Sequence, residues 1–143
     1  MSEVSDAEIL AAFLAAGDQF VSGTSIAEET GLSRVAIKGR LDRLREQGFV
    51  FEAIRNKGYR LETIPGYLHP SLLAAHLIHT ASPVTIHYFE ETDSTNTQAS
   101  RLLAEGEETP FMVIAGRQTA GRGRRGREWY SADAGNIYLS MAL

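Results

Sequence analysis

The sequence contains no cysteine among its 143 residues. This absence excludes a disulfide scaffold, a thiolate metal site and a cysteine nucleophile. Apolar runs are short as well, and none approaches the roughly 20 residues that a helix needs to cross a bilayer. The first residues, Met1 to Val4, lack the basic and then apolar pattern of a secretory signal. We therefore expect a cytoplasmic protein with no membrane association.

Basic residues are outnumbered in the chain, and they are unevenly placed. The formal net charge is −4, with 43% hydrophobic and 22% charged residues, a composition typical of a globular protein. Residues 33–60 nevertheless hold eight lysines or arginines against three acids, and residues 117–127 hold five arginines and no acid. Two separate basic segments on an acidic chain predict two separate anionic partners.

Helical patterns occupy the first third of the chain. Ser5 and Ser25 each begin a capping signature, in which a glutamate stands three residues after the serine. The first signature precedes an apolar stripe at helical spacing, and the second opens a short helix that Gly31 is suited to end. Ser33 is then expected to cap a third helix, which ends at Gly48.

A β-hairpin is expected after the third helix. Residues 49–61 are rich in β-forming residues, with a turn at Asn56-Lys57-Gly58. Three helices followed by a hairpin predict a winged helix-turn-helix domain over residues 1–62. Residues 63–70, which include Pro65 and Gly66, are expected to form the linker to a second domain.

The charge on this first domain predicts DNA binding. Ser33, Arg34 and Lys38 lie on the first turns of the third helix, where base edges or phosphates would be met. Arg55 and Lys57 lie on the wing, where contacts to the DNA backbone are expected. The alternative is a solvated face on a purely structural three-helix domain. Caps, turn and charge together favour DNA binding, although they indicate no base preference.

Residues 71–143 alternate between strand and helix patterns, which predicts an α/β or α+β fold for the second domain, and α+β is the class expected for the chain. Three strands and two helices have difficulty enclosing a core, so we expect the second domain to be incomplete in this sequence. The expected elements are a helix from Pro70, a strand over residues 84–89, a helix from Asp93 or Ser94 to about Glu105 with Leu102 and Leu103 facing inward, and strands over residues 111–115 and 137–143.

The second basic segment contains an arginine loop, Gly121 to Arg127, with four arginines interspersed among three glycines. Glycine allows a backbone to approach a ligand closely, and guanidinium groups bind carboxylate and phosphate oxygens. The loop is expected to be mobile and to close over an anionic small molecule. Taken alone, it is equally compatible with an arginine-rich tether for nucleic acid.

The surroundings of the loop carry a resemblance to a known family. Three motifs occur in order, and they are Asp93-Ser94-Thr95-Asn96, Gln118-x-x-Gly121-Arg122-Gly123-Arg124-Arg125-Gly126-Arg127-x-Trp129, and Asn136-x-Tyr138-Leu139-Ser140. The chain that contains them resembles the biotin protein ligases. With the winged helix ahead of them, it resembles the bifunctional bacterial form that also represses the biotin operon.

This resemblance implies a class II synthetase-like ligase domain and a two-step reaction. Biotin and ATP, with Mg²⁺, would give biotinyl-5′-AMP, and a lysine of a biotin carboxyl carrier protein would then accept the biotinyl group. Biotin, ATP and Mg²⁺ are substrates, and no permanently bound cofactor is expected. The adenylate would also act as corepressor by promoting a homodimer on operator DNA.

The resemblance also implies roles for particular residues. The biotin-site residues would be Ser94, Thr95, Asn96, Gln118 and Tyr138. Gly121, Arg122, Gly123 and Arg124 would lie by the biotin carboxyl group and the adenylate phosphate, with Arg122 and Arg124 as the catalytic residues.

Several features stay outside these roles. The family's lysine that contacts both carboxyl group and phosphate would lie downstream of this sequence. No metal site is expected, and His76 and His79 are interpreted as structural.

Two alternative functions remain. One is a winged-helix regulator whose second domain only senses a ligand. The other is a lipoate or octanoate ligase, against which both the arginine loop and the winged helix argue.

Overall fold

The computed structural model describes residues 2–80, 84–131 and 136–143. The chain forms two compact units, Met1–His79 and Thr80–Leu143. The first unit contains helices and a hairpin in the order of a winged helix-turn-helix, which confirms the predicted fold class. Its elements are α1 (Ser2–Ala16), α2 (Gly23–Thr30), α3 (Arg34–Glu46), β1 (Val50–Ile54), β2 (Gly58–Thr63) and α4 (Pro70–Leu77).

The core of the first unit is apolar, and each helix of the unit contributes one face to it. Buried side chains from α1 and α3 contact the first strand of the hairpin, so α3 is fixed against the rest of the unit by its inner face. Phe13 and Phe51 have ring centroids 5.1 Å apart. The other large buried members are Ile9, Leu10, Ile26, Ile37, Leu41, Leu44 and Phe49.

Two of the three predicted helix caps are wrong. Ser33 does cap α3, because its hydroxyl accepts a hydrogen bond from the N–H of Ala36 at 3.1 Å. Helix α2, however, is capped by Ser22, whose hydroxyl accepts from the N–H of Ser25 at 3.0 Å. Helix α1 likewise begins at Ser2, before the predicted cap. Both helices extend further because no proline precedes the expected caps and each added turn forms further hydrogen bonds.

The wing is held against the segment that precedes α2. Strands β1 and β2 pair antiparallel, and Asn56 in the turn between them has a φ of 66°. Val21 donates to the carbonyl of Tyr59 at 2.7 Å and accepts from its N–H at 2.9 Å. Gly58 lies at this crossing with a φ of 104°, and a Cβ there would be 2.1 Å from the carbonyl oxygen of Val21. Only glycine fits this position without moving the wing.

Helix α4 belongs to the first unit, which differs from the predicted division at residue 70. Pro70 takes the first helical position, as expected. Leu72 and Ala75 are buried in the core of the first unit, and α4 packs against α1. The unit therefore continues to His79, because the apolar face of α4 finds its partner on α1.

His69, which precedes α4, makes the stability of the first unit depend on pH. Its ring is buried, with Nε2 2.7 Å from Oε1 of Gln47, and Nδ1 has no hydrogen-bond partner among the described residues. Burial lowers the pKa of His69, against a smaller opposing effect of the Asp6 charge. The folded state therefore favours the neutral ring, whereas the unfolded chain binds a proton near its ordinary pKa of about 6.5.

The free energy of unfolding of the first unit is therefore expected to be highest above about pH 6.5, where His69 is neutral in both states. It should decrease as the pH is lowered through that value. The midpoint of urea unfolding, measured at pH 7.5 and at pH 5.5, tests this prediction. The difference between the two midpoints should be smaller in His69→Gln than in the parent. The exposed His76 provides the control, because His76→Gln should keep the full difference. An equal pH dependence in the parent and in His69→Gln would contradict the prediction.

The second unit is a small sheet covered by one helix. Strand β4 is central, pairing parallel with β3 and antiparallel with β7. Helix α5 connects β3 to β4 and packs Ala99 and Leu102 against a core that includes Phe111 and Val113. Leu103 is 48% exposed, so its predicted inward position is wrong, because neighbouring residues on a helix lie 100° apart. The elements are β3 (Thr85–Thr92), α5 (Thr95–Glu105), β4 (Phe111–Gln118), β5 (Gly121–Arg122), a 3-10 turn (Arg124–Gly126), β6 (Glu128–Trp129) and β7 (Tyr138–Ala142).

Candidate functional site

A polar pocket opens where the two parallel strands of the second unit end. Helix α5 begins just after β3, and Gln118 is the last residue of β4. Ligands commonly bind at the carboxyl ends of parallel strands, where loops and helix starts meet. The pocket has a volume of about 230 Å³. It brings together the predicted residues Ser94, Thr95, Asn96, Gln118, Arg122 and Tyr138, together with Trp129, Asn136, Ile137, Leu139 and Ser140.

The amide of Gln118 has a defined orientation in this pocket. Its Oε1 accepts from the N–H of Thr95 at 2.7 Å and from the hydroxyl of Thr95 at 3.1 Å. Both donors fix the carbonyl end of the amide against the start of α5. The Nε2 group then lies on the other side, 3.5 Å from the hydroxyl of Ser131. The amide of Gln118 therefore bridges the start of α5 and Ser131.

Ser140 adds a hydroxyl that the sequence-based list of site residues lacks. Its Oγ lies 2.8 Å from Oγ1 of Thr95 and 2.5 Å from Oδ1 of Asn96. A hydroxyl has one proton, so it satisfies only one of these two acceptors at a time. The signal was present in the sequence, because Ser140 lies two residues after Tyr138 on one strand and such residues share a face.

The arginine loop forms a short hairpin beside the pocket. Strands β5 and β6 pair Gly121 with Trp129, and the N–H of Gly123 donates to the carbonyl of Arg127 at 2.8 Å. All four arginine side chains of the loop are exposed. The backbone turns at Arg125, where φ is 62°. The hairpin therefore presents guanidinium groups to solvent at the edge of the polar pocket.

A second concavity, of about 390 Å³, lies between the hairpin and α5. Arg122, Gly123 and Arg124 line one side of it, and Asn96 lines the other. Asn96 and Arg122 line the polar pocket too, so the two cavities are adjacent and share these two residues. Arg125 lines neither of them. The structure thus places Arg122 and Arg124, the predicted catalytic residues, at the junction and in the second concavity.

Asp93 connects the base of the hairpin to α5. Its carbonyl oxygen accepts from the N–H of Ala120 at 2.8 Å, where the chain enters the hairpin. Its carboxylate accepts two hydrogen bonds from the guanidinium of Arg101, at 2.9 and 2.6 Å, and one from the N–H of Ser94. These bonds, chiefly those from Arg101, hold the pKa of Asp93 well below its usual range. The carboxylate therefore stays ionised and keeps Arg101 in place.

A basic surface lies on the first unit, between the start of α3 and the wing. Arg34, Arg55 and Lys57 line a concavity of about 470 Å³ there. Ser33 and Lys38 are exposed on α3 but do not line it, and the Ser33 hydroxyl already accepts the capping bond. Three of the five predicted DNA-binding residues therefore surround one concave surface, while Ser33 and Lys38 lie outside it.

Arg60 differs from the other basic residues of the wing. Its guanidinium contacts Glu52 at 2.6 Å and Glu62 at 3.1 Å. Arg60 and Lys57 both lie over the ring of Phe20, 4.9 and 5.8 Å from its centroid, so it is the two carboxylates that distinguish Arg60. Its charge is therefore balanced within the unit, whereas Lys57 is exposed at the turn.

Comparison with known proteins finds a separate family match in each unit. Residues 7–60 match the family described as HTH domain, and residues 88–143 match the Biotin/lipoate A/B protein ligase family. Among the described residues, no helix is long and apolar enough to span a membrane.

The chain also resembles individual proteins. It is 34% identical over 136 residues to the "Bifunctional ligase/repressor BirA" of Bacillus subtilis, covering 95% of this chain and 42% of that protein. It is 35% identical over 128 residues to the protein of that name from Escherichia coli, covering 90% of this chain and 38% of the relative. The chain therefore spans about two fifths of the length of these curated relatives.

A solved structure matches a shorter part of the chain. It is the biotin protein ligase of Leishmania major in complex with biotinyl-5-AMP. The two chains are 42% identical over 42% of this chain and 24% of that one, with a TM-score of 0.38.

Proposed function

We propose, from the premise that this chain belongs to the biotin protein ligases that carry an N-terminal HTH domain, that the whole protein is a biotin ligase and a biotin-responsive repressor. It would couple biotin to a lysine of a biotin carboxyl carrier protein, using ATP. The chain holds the DNA-binding unit and part of the ligase domain. Because operator DNA and the carrier protein are cytoplasmic partners, the proposed function also implies a cytoplasmic location.

The observation that carries the ligase proposal is that two chemically different cavities lie side by side and share Asn96 and Arg122 as lining residues. The first offers uncharged donors and acceptors from Gln118, Thr95 and Ser140. Such groups suit a neutral ureido ring, whose N–H and C=O groups must be paired when buried. The second is lined by arginines, which suit a carboxylate and a phosphate. A ligand that is neutral at one end and anionic at the other matches this order, and biotinyl-5′-AMP is such a ligand.

The proposed chemistry follows from that placement. A carboxylate oxygen of biotin attacks the α-phosphorus of ATP, and the bond to pyrophosphate breaks as biotinyl-5′-AMP forms. The amine of the carrier lysine then attacks the acyl carbon, and AMP leaves. Arg122 and Arg124 would stabilise the negative charge that develops on the phosphate oxygens. Mg²⁺ would arrive with the phosphates of ATP as part of the substrate.

The hairpin would also protect the intermediate. A mixed anhydride hydrolyses readily, so a ligase gains from excluding water once it has formed. Gly123 lines the concavity beside the arginines, where the lack of a side chain would let a ligand approach the backbone closely. Closure of this hairpin over the adenylate would retain it until the carrier lysine binds.

Transfer of labelled biotin to a purified carrier domain by the full-length protein, with ATP and Mg²⁺, tests the ligase proposal. We expect label on one carrier lysine and stoichiometric AMP. A protein that binds biotin but transfers none would instead be a sensor with a winged-helix domain. Transfer of labelled lipoate or octanoate in place of biotin would identify the related ligase class.

The basic surface of the first unit supports operator binding. Arg34, Arg55 and Lys57 surround one concavity and can neutralise phosphates along a duplex. We propose that biotinyl-5′-AMP promotes a homodimer, so that two such surfaces engage two half-sites together. Binding to operator DNA with and without biotin and ATP, measured across protein concentrations, tests this coupling.

Lys57→Gln is expected to weaken DNA binding nearly equally for all sequences, because an exposed lysine on the wing contacts phosphate rather than bases. The slope of log affinity against log salt should fall in magnitude by about one. Arg60→Gln removes the same charge from the same wing, but Arg60 is already paired with Glu52 and Glu62, so its slope should stay unchanged. Equal slopes for both variants would contradict the assignment of Lys57 to a phosphate.

A further inference from the structure

The outer face of α3 carries a small apolar patch, Val35 and Gly39. The inner face of the helix is defined by its buried residues, Ile37, Leu41 and Leu44. At 100° per residue, Val35 and Gly39 lie one turn apart on the opposite side. Val35 is 83% exposed, which makes it one of the most exposed large apolar side chains described. The N-terminal part of the outward face is therefore apolar, although the helix is basic, and the exposed Asp42 and Glu46 follow on the same face further along.

Neither residue of this patch is explained by the fold. Val35 has most of its surface in solvent at a position where a polar residue would be equally stable. Gly39 stands in the interior of α3, where glycine is the least favourable residue after proline. A Cβ at Gly39 would meet nothing within 4 Å, and its φ is not positive. Nothing inside the protein requires glycine there, so the requirement would come from a molecule that approaches the helix.

The neighbours of the patch indicate what approaches. Arg34 and Lys38 are exposed beside it, and Arg34 lines the basic concavity that extends to the wing. In helix-turn-helix proteins the N-terminal residues of the recognition helix contact base edges in the major groove. The apolar group that a base pair exposes in that groove is the 5-methyl of thymine. An exposed valine in the first turn is the complementary group.

We propose that Val35 contacts a thymine methyl in each operator half-site, and that Gly39 lets the floor of the major groove approach the helix closely. This inference rests on the DNA binding proposed above and adds a base preference to it. Arg34 and Lys38 flank the patch and bind phosphates or neighbouring base edges. Val35 is then a specificity-determining residue, and Gly39 a positioning residue.

The test pairs a methyl deletion on the protein with one on the DNA. The full chain is used to select duplexes from a randomised library at low salt, and each thymine of the tightest duplex is then replaced singly by uracil. With the parent, uracil should weaken binding about three- to fivefold at one thymine per half-site. With Val35→Ala that penalty should disappear, whereas Val50→Ala, the same change at an exposed valine of β1, should keep it.

Gly39→Ala supplies the second measurement. Alanine should raise the melting temperature, because a helix interior favours it over glycine, and should weaken binding to the selected duplex at least tenfold. An unchanged uracil penalty in Val35→Ala, or unchanged affinity in Gly39→Ala, would overturn the corresponding assignment while sequence-specific binding persists. If no duplex is enriched, the DNA-binding function itself fails, and this inference fails with it.

Discussion

Gly58→Ala is expected to destabilise the first unit by about 3 kcal/mol or more. The added Cβ would lie 2.1 Å from the carbonyl oxygen of Val21 and 2.7 Å from Cα of Ser22, both of them backbone atoms that side-chain rotation cannot move. Residue 58 also has a φ of 104°, which an L side chain rarely adopts. The hairpin would have to leave the segment before α2, breaking both hydrogen bonds between Val21 and Tyr59.

Urea unfolding followed by circular dichroism measures this effect as a shift in midpoint at constant slope. Gly66→Ala is the matched control, because a Cβ at Gly66 meets nothing within 4 Å and φ there is not positive. Its stability should change by no more than about 0.5 kcal/mol. Similar midpoints for the two variants would show that the wing tolerates displacement from Val21.

Arg124→Ala is expected to lower the rate of biotinyl-5′-AMP formation by the full-length protein by about 10²- to 10³-fold. Arg124 lines the concavity between hairpin and α5, where the phosphate would lie, but it does not line the polar pocket. Biotin binding should therefore be largely retained. Any adenylate that forms should escape into solution faster than from the parent, because part of the closing hairpin is lost.

Pyrophosphate release and the appearance of free biotinyl-5′-AMP measure the two parts of this prediction. Arg125→Ala removes the same charge from the same hairpin, but Arg125 lines neither cavity. It should change both quantities less than threefold, an effect of about 0.6 kcal/mol. If Arg124→Ala and Arg125→Ala behave alike, the hairpin acts through its overall charge and not through a particular guanidinium.

Local signals in the sequence predicted the fold where a single interaction decides it. Ser33 has the side chain that a helix start needs, and Gly31 adopts the positive φ of 71° expected at the end of α2. The same signals failed where two residues could cap one helix. Ser22 and Ser25 have the same side chain, and α2 begins after Ser22 because the longer helix forms more hydrogen bonds. Helix α4 shows a different limit, since its amphipathic pattern does not reveal which neighbour its apolar face will find.

For the candidate site, too, the sequence predicted some features and missed others. The motifs were enough to select six of the residues that line the polar pocket, although their roles stay predictions, whereas Gly121, Gly123 and Arg124 lie outside that pocket. They did not reveal how Gln118 is turned, because its two partners belong to Thr95, 23 residues earlier in the chain. The bond between Asp93 and Arg101 was missed for a related reason: the sequence indicated Asp93 only as a possible start of the helix, and its partner is 8 residues later in the chain, on α5.

Because Asp93 serves α5 and the hairpin at once, events at the two cavities are expected to influence each other. A molecule that shifts the first turn of α5 displaces Asp93, and the carbonyl bond to Ala120 passes that shift to the entrance of the hairpin. Occupation of the polar pocket should therefore alter affinity for the anionic part of the ligand. If the ligands are biotin and a nucleotide, as proposed above, thermodynamic reciprocity requires each to alter the affinity for the other by the same factor.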